Sequence, residues 1–366
     1  MPIYMDIHHV PGAEALDLAE AHRKDMLVQD EYRCKCLTYW LDEARGSAFC
    51  LIEAPDEKVV EDMHRNSHGL VPHKVIEVKN NLVESFLGRI HDPEDAEIFD
   101  GGLKVFSESA FRILLVTDII DPVLLRHKLG SEKSGELLSK QNNIIRQELL
   151  NHKGREVEHK GNGLIASFTS AVKAVSCALD IQKNLPIADK KHTGFRIGIN
   201  AGEPIAKSDK LFGDTIQLAR RLCTIANKDK IILASGLKDL LTRDYFQMDQ
   251  EHFIMLSPQD ETLVESLFNQ LGKNWQDSDF GIPEFCRNLS MSKSQLYRKT
   301  VAIWGLSPNL LLKEFRLEKA RELLKKQSFN IAQTTFDSGF SSPSYFTKCF
   351  KKKFGLIPAS YLNSLQ

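Results

Sequence analysis

The sequence predicts a multidomain protein of mixed class: an α+β domain at the N-terminus, an α/β domain in the middle and an all-α domain at the C-terminus. The chain has 366 residues, which is more than one hydrophobic core usually serves. Its net charge is −1, yet the residues from Glu265 to Gln366 contain 15 Lys and Arg against 8 Asp and Glu. Half of the 12 histidines lie at or before His73. These shifts in composition and the patterns below divide the chain into residues 1–79, a linker at 80–109, residues 110–255 and residues 263–366.

The overall composition is that of an ordinary globular protein. Hydrophobic residues make up 42% of the chain and charged residues 27%, and no apolar run reaches the length of a membrane span. The N-terminus lacks a basic segment followed by an apolar one, so it does not resemble a secretory signal. The seven cysteines are an odd number without a disulfide-like pattern. We therefore expect a cytoplasmic protein with reduced thiols and no membrane partner.

The first 79 residues are predicted to follow the order βαββαβ, which is the ferredoxin-like arrangement. The predicted elements are a strand at 3–8, a helix at 14–30, strands at 34–41 and 47–53, a helix at 57–66 and a strand at 74–78. Three segments, Met-Pro-Ile-Tyr-Met-Asp-Ile-His at 1–8, Phe-Cys-Leu-Ile-Glu-Ala-Pro at 49–55 and His-Gly-Leu-Val-Pro at 68–72, resemble a small bacterial family of ferredoxin-like proteins described as nickel-binding. The resemblance covers nearly the whole region.

Three histidines of this region are candidate metal ligands. His64 and His68 are four residues apart and share one face of the second helix, which ends near the strand end that carries His8. Imidazoles without thiolates suit Ni, Cu or Zn, and we expect Ni or Zn. The alternative is that these histidines are partly exposed polar residues at the rim of the sheet. His22 and Asp25, one turn apart on the first helix, are weaker candidates.

After the linker, which carries an amphipathic stretch, strands and helices alternate from Phe111 onward. Four segments resemble the class III nucleotide cyclase domain, and the resemblance implies its α/β fold over about residues 110–250. The segments are Leu-Leu-Val-Thr-Asp-Ile at 114–119, His-Lys-Gly-Asn-Gly-Leu at 159–164, Phe-Arg-Ile-Gly-Ile-Asn-Ala-Gly at 195–202 and Leu-Phe-Gly-Asp-Thr-Ile-Gln-Leu-Ala-Arg-Arg-Leu at 211–222.

The resemblance implies a nucleotide site whose catalytic set is incomplete. In that family two aspartates hold two metal ions at the triphosphate. Asp118 matches the first, but the second falls on Asn162, and the family's transition-state Asn and Arg fall on Gln217 and Arg221. We therefore assign no catalytic residue. Because the active sites of the family form between two subunits, the resemblance also implies a homodimer.

The positions that select the base in that family match Glu158 and Lys210, where adenine-specific members have Lys and Asp. A carboxylate can accept hydrogen bonds from the N1 and N2 donors of guanine, and an ammonium can reach its O6 acceptor. This pair favours a guanine nucleotide, bound without efficient turnover. A shift of one residue in the alignment would replace Lys210 by Asp209.

From Leu263 onward the pattern is helical, with apolar residues three and four apart and interruptions at glycines and prolines. One helix-turn-helix lies within 281–300, where Ser292 and Gln295 form a capping box at the start of the second helix. A second lies within 331–355, with Ser342 as cap and Pro343 in the first turn. An amphipathic helix from about Pro308 connects them.

This region resembles the AraC/XylS family. The matching segments are Arg316 to Leu324, Gly-Phe-Ser at 339–341, Ser-Tyr-Phe at 344–346, Phe-Lys-Lys at 350–352, Phe354-Gly355 and Pro358. The resemblance implies two recognition helices in successive major grooves of double-stranded DNA. The aromatic residues Tyr345, Phe346, Phe350 and Phe354 are expected in the core.

Candidate DNA contacts are exposed polar residues of the two recognition helices. Gln and Arg can read adenine and guanine, whereas Lys is better suited to phosphate; a lysine run can equally be a solvated helix face. The candidates are Lys293, Ser294, Gln295, Arg298 and Lys299 in the first helix, and Ser342, Ser344, Thr347, Lys348 and Lys352 in the second, with Lys351 and Lys353 as further phosphate contacts.

Together these patterns predict a sequence-specific DNA-binding transcriptional regulator rather than an enzyme. Its two N-terminal modules would dimerise and sense an effector, either a metal ion or a small molecule such as a guanine nucleotide. The alternative is an active guanylate cyclase fused to a DNA-binding domain. Release of pyrophosphate from a nucleoside triphosphate would separate the two.

Overall fold

A computed structural model describes residues 1–99, 102–119, 121–160, 163–185, 194–205, 208–225, 230–241, 252–326 and 330–365. The N-terminal region has the predicted ferredoxin-like fold. Its antiparallel strands are ordered β2-β3-β1-β4. Two helices cover one face of this sheet. The elements are β1 (Ile3–His9), α1 (Ala15–Val28), β2 (Lys35–Asp42), β3 (Ser47–Glu53), α2 (Glu57–Ser67) and β4 (Lys74–Val78).

The segment predicted as a linker has structure of its own. It contains a helix, α3 (Asn80–Leu87), and a hairpin formed by β5 (Glu97–Phe99) and β6 (Leu103–Val105). Val83 and Phe86 of α3 are buried in the cluster that joins the first sheet to the second. Helix α3 thus packs between the two sheets, as an amphipathic stretch can.

The middle region has a six-stranded mixed sheet in the order β12-β11-β10-β7-β9-β8. Along β7, Ile113 and Leu115 face the core under α5 and α6, whereas Leu114 and Val116 face the opposite core under α7 and the first sheet. The elements are β7 (Arg112–Asp118), α4 (Pro122–Leu129), α5 (Ser131–Asn151), β8 (Arg155–Lys160), β9 (Gly163–Phe168), α6 (Ala171–Asn184), β10 (Arg196–Gly202), α7 (Gly213–Ile225), β11 (Ile231–Leu233), a 3-10 helix (Ser235–Leu240) and β12 (Phe253–Met255).

Glycine is required where α7 crosses β10. A Cβ atom at Gly198 would lie 2.2 Å from the carbonyl oxygen of Ala219 and 2.9 Å from the backbone nitrogen of Cys223. Such distances are far below van der Waals contact, so any side chain would push the helix off the sheet. The close approach buries Leu218 and Leu222 of α7 against the helices that follow.

The C-terminal region is all-α and contains two helix-turn-helix units. Its first helix starts at Pro258, before the predicted Leu263, because Ser257 caps it and Pro258 occupies its first turn. The helices are α8 (Pro258–Asn274), α9 (Ile282–Asn288), α10 (Lys293–Trp304), α11 (Pro308–Lys325), α12 (Ile331–Asp337), α13 (Pro343–Phe354) and α14 (Pro358–Asn363).

The two units repeat at an offset of fifty residues. Ser292 and Ser342 are the N-caps of α10 and α13, and the left-handed Gly305 (φ 68°) and Gly355 (φ 86°) end them. The first unit shares a core with α7 and α8, whereas the second shares one with Leu124 of α4. Among the helices of the described residues, none combines the length and apolar composition needed to cross a bilayer.

Candidate functional sites

The first candidate site lies between β1, α1 and α2 of the N-terminal domain. Asp56 caps α2 by accepting from the backbone nitrogen of Val59, and this helix carries His64 and His68 on the face that meets β1. The rings of His8 and His64 are 4.9 Å apart, those of His64 and His68 5.0 Å, and those of His8 and His68 6.3 Å. The structure thus brings the three predicted histidines together.

Two buried carboxylates complete this cluster. His64 Nε2 lies 2.8 Å from Asp6 Oδ2, and His64 Nδ1 lies 3.1 Å from Asp25 Oδ2. Asp25 Oδ1 also lies 3.2 Å from His68 Nε2 and accepts from the hydroxyl of Ser67. Asp25 therefore belongs to the site. His22 does not, since its nearest carboxylate is Asp92 at 3.9 Å.

The charges of the cluster are strongly coupled. Burial opposes the charged form of His64, but Asp6 and Asp25 outweigh it and raise the pKa of His64 to about 10. Burial also opposes the charged carboxylates, yet the histidines hold the pKa of Asp6 and of Asp25 below the usual value. In the absence of a metal ion, an imidazolium thus neutralises part of a buried doubly anionic pocket.

The donor set fits a divalent transition metal. His8 is 4% exposed, and neither of its ring nitrogens has a hydrogen-bond partner among the described residues, although Nε2 lies 3.3 Å from Asp6 Oδ1. Imidazoles that share a tetrahedral ion with Zn–N bonds of about 2 Å have ring centres about 5 Å apart, close to the His8–His64 and His64–His68 spacings but shorter than the 6.3 Å between His8 and His68. Asp6, His8, His64 and the thiol of Cys50 could approach one ion, and so could Asp25, His64 and His68.

Sequence reasoning missed Asp6 and Cys50 and ranked Asp25 too low. The signal for Asp6 was available, because residues two apart on a strand point to the same face and Asp6 therefore accompanies His8. Cys50 pairs with Asp6 across the sheet, and its backbone nitrogen donates to Asp6 Oδ1 at 3.0 Å. That register cannot be read from one strand alone.

The second candidate site is the exposed face of α10, the first recognition helix. Its predicted contact residues are all exposed: Lys293, Ser294, Gln295, Arg298 and Lys299. The capping box is present, so Gln295 Oε1 accepts from the backbone nitrogen of Ser292 at 2.9 Å. Lys299 donates to Asp260 of α8 at 2.7 Å. Tyr297, which was not predicted, is 55% exposed.

The exposed face of α13 forms the corresponding surface of the second unit. Ser344, Lys348, Lys351 and Lys352 are exposed and Thr347 is partly buried, while Ser342 accepts from the backbone nitrogen of Tyr345. Phe346, Phe350 and Phe354 are buried as predicted, but the prediction for Tyr345 is wrong, because it is 53% exposed. Lys353 is not available to phosphate, since it lies 2.6 Å from Glu314 and 3.0 Å from Glu318 of α11.

The third candidate site, predicted in the middle domain, is not assembled by the described residues. Asp118 at the end of β7 pairs with Arg196 of β10, and burial raises its pKa although Arg196 opposes the shift. Glu158 Oε2 lies 3.5 Å from Arg220. Arg221 donates to Asn269 of α8 at 2.8 Å and lies over the Phe268 ring.

The other residues predicted for the nucleotide site do not form side-chain hydrogen bonds or ion pairs with Asp118, Glu158 or Arg221 among the described residues. Lys210 and Gln217 are exposed, and Asn162 lies outside the described residues. The alternative residue, Asp209, is 91% exposed and lies 2.9 Å from Lys74 of the N-terminal domain. Arg196 and Arg220 were not predicted from sequence, because the pairing of β10 with β7 brings Arg196 beside Asp118 and the packing of α7 brings Arg220 beside Glu158.

Comparisons with known proteins match two of the three domains to family models. Residues 285–364 match a helix-turn-helix domain, and residues 4–78 match the family described as nickel responsive protein SCO4226-like. The HTH-type transcriptional regulator MtrA of Neisseria gonorrhoeae is 28% identical over 132 residues, which cover 35% of this chain and 43% of MtrA. The chain spans about half or less of the length of the first curated relatives it matches.

Solved structures resemble parts of the chain. The crystal structure of SCO4226 from Streptomyces coelicolor A3(2) is 28% identical and covers 21% of this chain and 94% of that chain, with a TM-score of 0.20. A bacterial light-regulated adenylyl cyclase is 15% identical and covers 66% and 88%, with a TM-score of 0.32. Residues 4–78 are thus similar to the family described as nickel responsive protein SCO4226-like, and residues 285–364 are similar to a helix-turn-helix domain.

Proposed function

We propose that this chain is a sequence-specific DNA-binding transcriptional regulator whose N-terminal domains sense an effector. The observation that carries the proposal is the repeated helix-turn-helix unit, whose two recognition helices expose polar and basic residues at equivalent positions. The excess of Lys and Arg from Glu265 onward supports contact with a polyanion. The match to the helix-turn-helix model and the similarity to a transcriptional regulator agree with it.

The exposed residues divide into those suited to contact bases and those suited to contact phosphate groups. Arg298 is exposed without a carboxylate in contact among the described residues, and its guanidinium can pair with guanine in the major groove. Ser294 and Ser344 occupy equivalent second positions of their helices and suit short contacts to bases or phosphate. Lys348 and Lys352 provide phosphate contacts that add affinity without sequence information.

The effector that we propose is a divalent transition metal, Ni or Zn, with His8, His64 and His68 as its ligands. His8 and His68 fall in two overlapping groups of candidate ligands that share His64, so one ion bound by all three requires a side-chain rearrangement. Asp6 and Asp25 would orient the imidazoles, as carboxylates do around metal-bound histidines. The three histidines come from two elements, since His8 is on β1 and the other two are at the end of α2. A bound ion would therefore tie α2 to the sheet, and it would shift DNA binding only through different affinities for two states of the protein.

We infer two further properties from the cyclase-like domain: self-association into a homodimer, and binding of a guanine nucleotide near Glu158 and Lys210 without turnover. Sedimentation equilibrium tests the first. Calorimetry with GTP, cyclic GMP and ATP tests the second, and equal affinity for ATP would reject it. The competing enzyme function predicts pyrophosphate release from a nucleoside triphosphate with Mg or Mn, which we do not expect because Asp118 and Arg221 are engaged by Arg196 and Asn269.

Selection of bound duplexes from a random-sequence library by the full chain tests the proposal. The selection is run with Ni, with Zn and with a chelator. Enrichment of one motif, with an affinity that changes with the metal, is the expected outcome. Failure to enrich any sequence under all three conditions would reject DNA-binding regulation.

A further inference from the structure

A buried carboxylate joins the cyclase-like domain to the second helix-turn-helix unit. Asp121 is fully buried at the start of α4, where its Oδ1 accepts from the backbone nitrogen of Val123 at 2.9 Å. Its Oδ2 contacts Lys325, lies 3.3 Å from Arg321, and accepts from the Tyr361 hydroxyl at 3.1 Å. These three partners all belong to α11 and α14 of the C-terminal domain.

The ion pairs continue from Asp121 to the second recognition helix. Arg321 Nη2 lies 2.8 Å from Glu318 Oε2, and Glu318 Oε1 lies 3.0 Å from Lys353 Nζ. Lys353 is part of α13, and its ammonium group also contacts Glu314 and donates to the Glu314 carbonyl. A continuous chain of charged groups therefore runs from the cyclase-like domain through α11 to α13.

Apolar packing follows the same route. Leu124, one turn after Asp121, is 2% exposed and belongs to the core of the second unit together with Phe350 and Tyr361. The first unit lacks this contact, because it packs instead on α7 and α8. The two recognition helices are thus held by different parts of the cyclase-like domain.

The network also begins beside the candidate nucleotide residues. Asp121 follows Asp118 by three residues, and the Asp118 carboxylate interacts electrostatically with Glu318 and Arg321 as well as with Arg196. Glu318 in turn is attracted by Lys353, Arg321 and Arg196, which keep its pKa below the usual value although burial opposes this. A change of charge at the end of β7 would therefore alter the electrostatic environment of Glu318 and Arg321 on α11.

We propose that the chain Asp121–Arg321–Glu318–Lys353 couples the cyclase-like domain to α13, so that the state of this domain sets the binding of one half of the DNA site and not of the other. The physical basis is preorganisation: a helix already held in its binding orientation loses less freedom when it enters the groove. The inference rests on the proposed DNA binding for its functional readout, but its structural readout is independent of it.

Hydrogen exchange of the full chain tests the structural part. Asp121→Asn keeps a good N-cap and the Val123 contact but removes the charge, and Glu318→Gln interrupts the network at its middle. Glu322→Gln is the matched control, because Glu322 is an exposed residue of the same helix that pairs only with Lys319 among the described residues. Asp121→Asn should speed exchange in α11, α13 and α14 about tenfold or more, because a buried carboxylate has lost its charge. Glu318→Gln should speed exchange in α11 and α13 by less, because the Glu318 side chain is 39% exposed.

Duplex binding tests the functional part, with a probe selected by the wild-type chain from a random library. Asp121→Asn and Glu318→Gln should each weaken binding about tenfold. The half of the DNA site that α13 contacts is the half where Arg298→Ala leaves the base preference unchanged. On a duplex in which the sequence of this half is scrambled, the two variants should bind as well as the wild type. Unchanged exchange in both variants overturns the network, and equal losses at both halves overturn the coupling. Absence of any DNA binding rejects the proposed function and leaves the exchange result to decide the network.

Discussion

Replacing His64 by alanine should both abolish metal binding and loosen the metal-free N-terminal domain. His64 is completely buried, and its two nitrogens lie within 3.1 Å of the buried carboxylates of Asp6 and Asp25. Without the imidazole, both buried carboxylates lose their shared cationic partner. Removing one member of a buried ion pair costs about 3–5 kcal/mol, so His64→Ala should lower local stability by about that amount.

His68→Ala and His9→Ala separate the two effects. His68 contacts only Asp25 of the two carboxylates, so its loss should remove the metal with a smaller effect on stability. His9 is exposed on β1, adjacent to His8 in sequence but on the opposite side of the strand, and its replacement should change neither property. Bound metal is measured by mass spectrometry after dialysis, and local stability by hydrogen exchange of β1 and α2 peptides in chelator. Equal exchange in wild type and His64→Ala would refute the electrostatic reasoning, and equal metal content would refute the site.

Three further predictions concern the DNA interface and the fold. Arg298→Ala should weaken binding to the selected duplex by about 1–3 kcal/mol and relax the preference at one base pair, which competition with single-base variants measures. Lys352→Ala should reduce the slope of log affinity against log salt concentration by about one. Lys299→Ala should reduce this slope less, because Asp260 already neutralises Lys299. Equal slopes for the two variants would contradict this prediction. Gly198→Ala should lower the unfolding temperature, measured by calorimetry, because the added Cβ atom displaces α7. Gly236→Ala is the control and should leave this temperature unchanged, because a Cβ atom there has no other atom within 4 Å.

The arrangement of strands and helices could be predicted where a local sequence pattern or a capping residue was sufficient. The βαββαβ order of the first domain follows from local pattern, and β3 and β4 begin and end at the predicted residues. The capping box at Ser292 and the Ser342-Pro343 start of α13 are likewise local signals. Residues 80–109 could not be assigned in the same way, because α3 is stabilised by packing between two sheets and the neighbouring hairpin by packing against the helix-covered face of the first sheet.

Contacts between distant elements were beyond sequence reasoning. Asp25 and Asp6 converge on His64 only once α1, α2 and β1 are packed, and Lys299 loses its role as a plain phosphate anchor only because α8 brings Asp260 to it. Tyr345 was assigned to the core because it is aromatic. Its helical position, equivalent to the exposed Gln295 fifty residues earlier, would have placed it on the surface.

Hydroxyl-radical footprinting of the full chain on its selected duplex tests the central claim most directly. Two helix-turn-helix units in successive major grooves should protect two patches on one face of the DNA, about one helical turn or 10 base pairs apart. Arg298→Ala should weaken one patch and Lys348→Ala the other. A single protected patch, uniform protection along the duplex, or no protection at the concentrations that saturate the mobility shift would contradict the account.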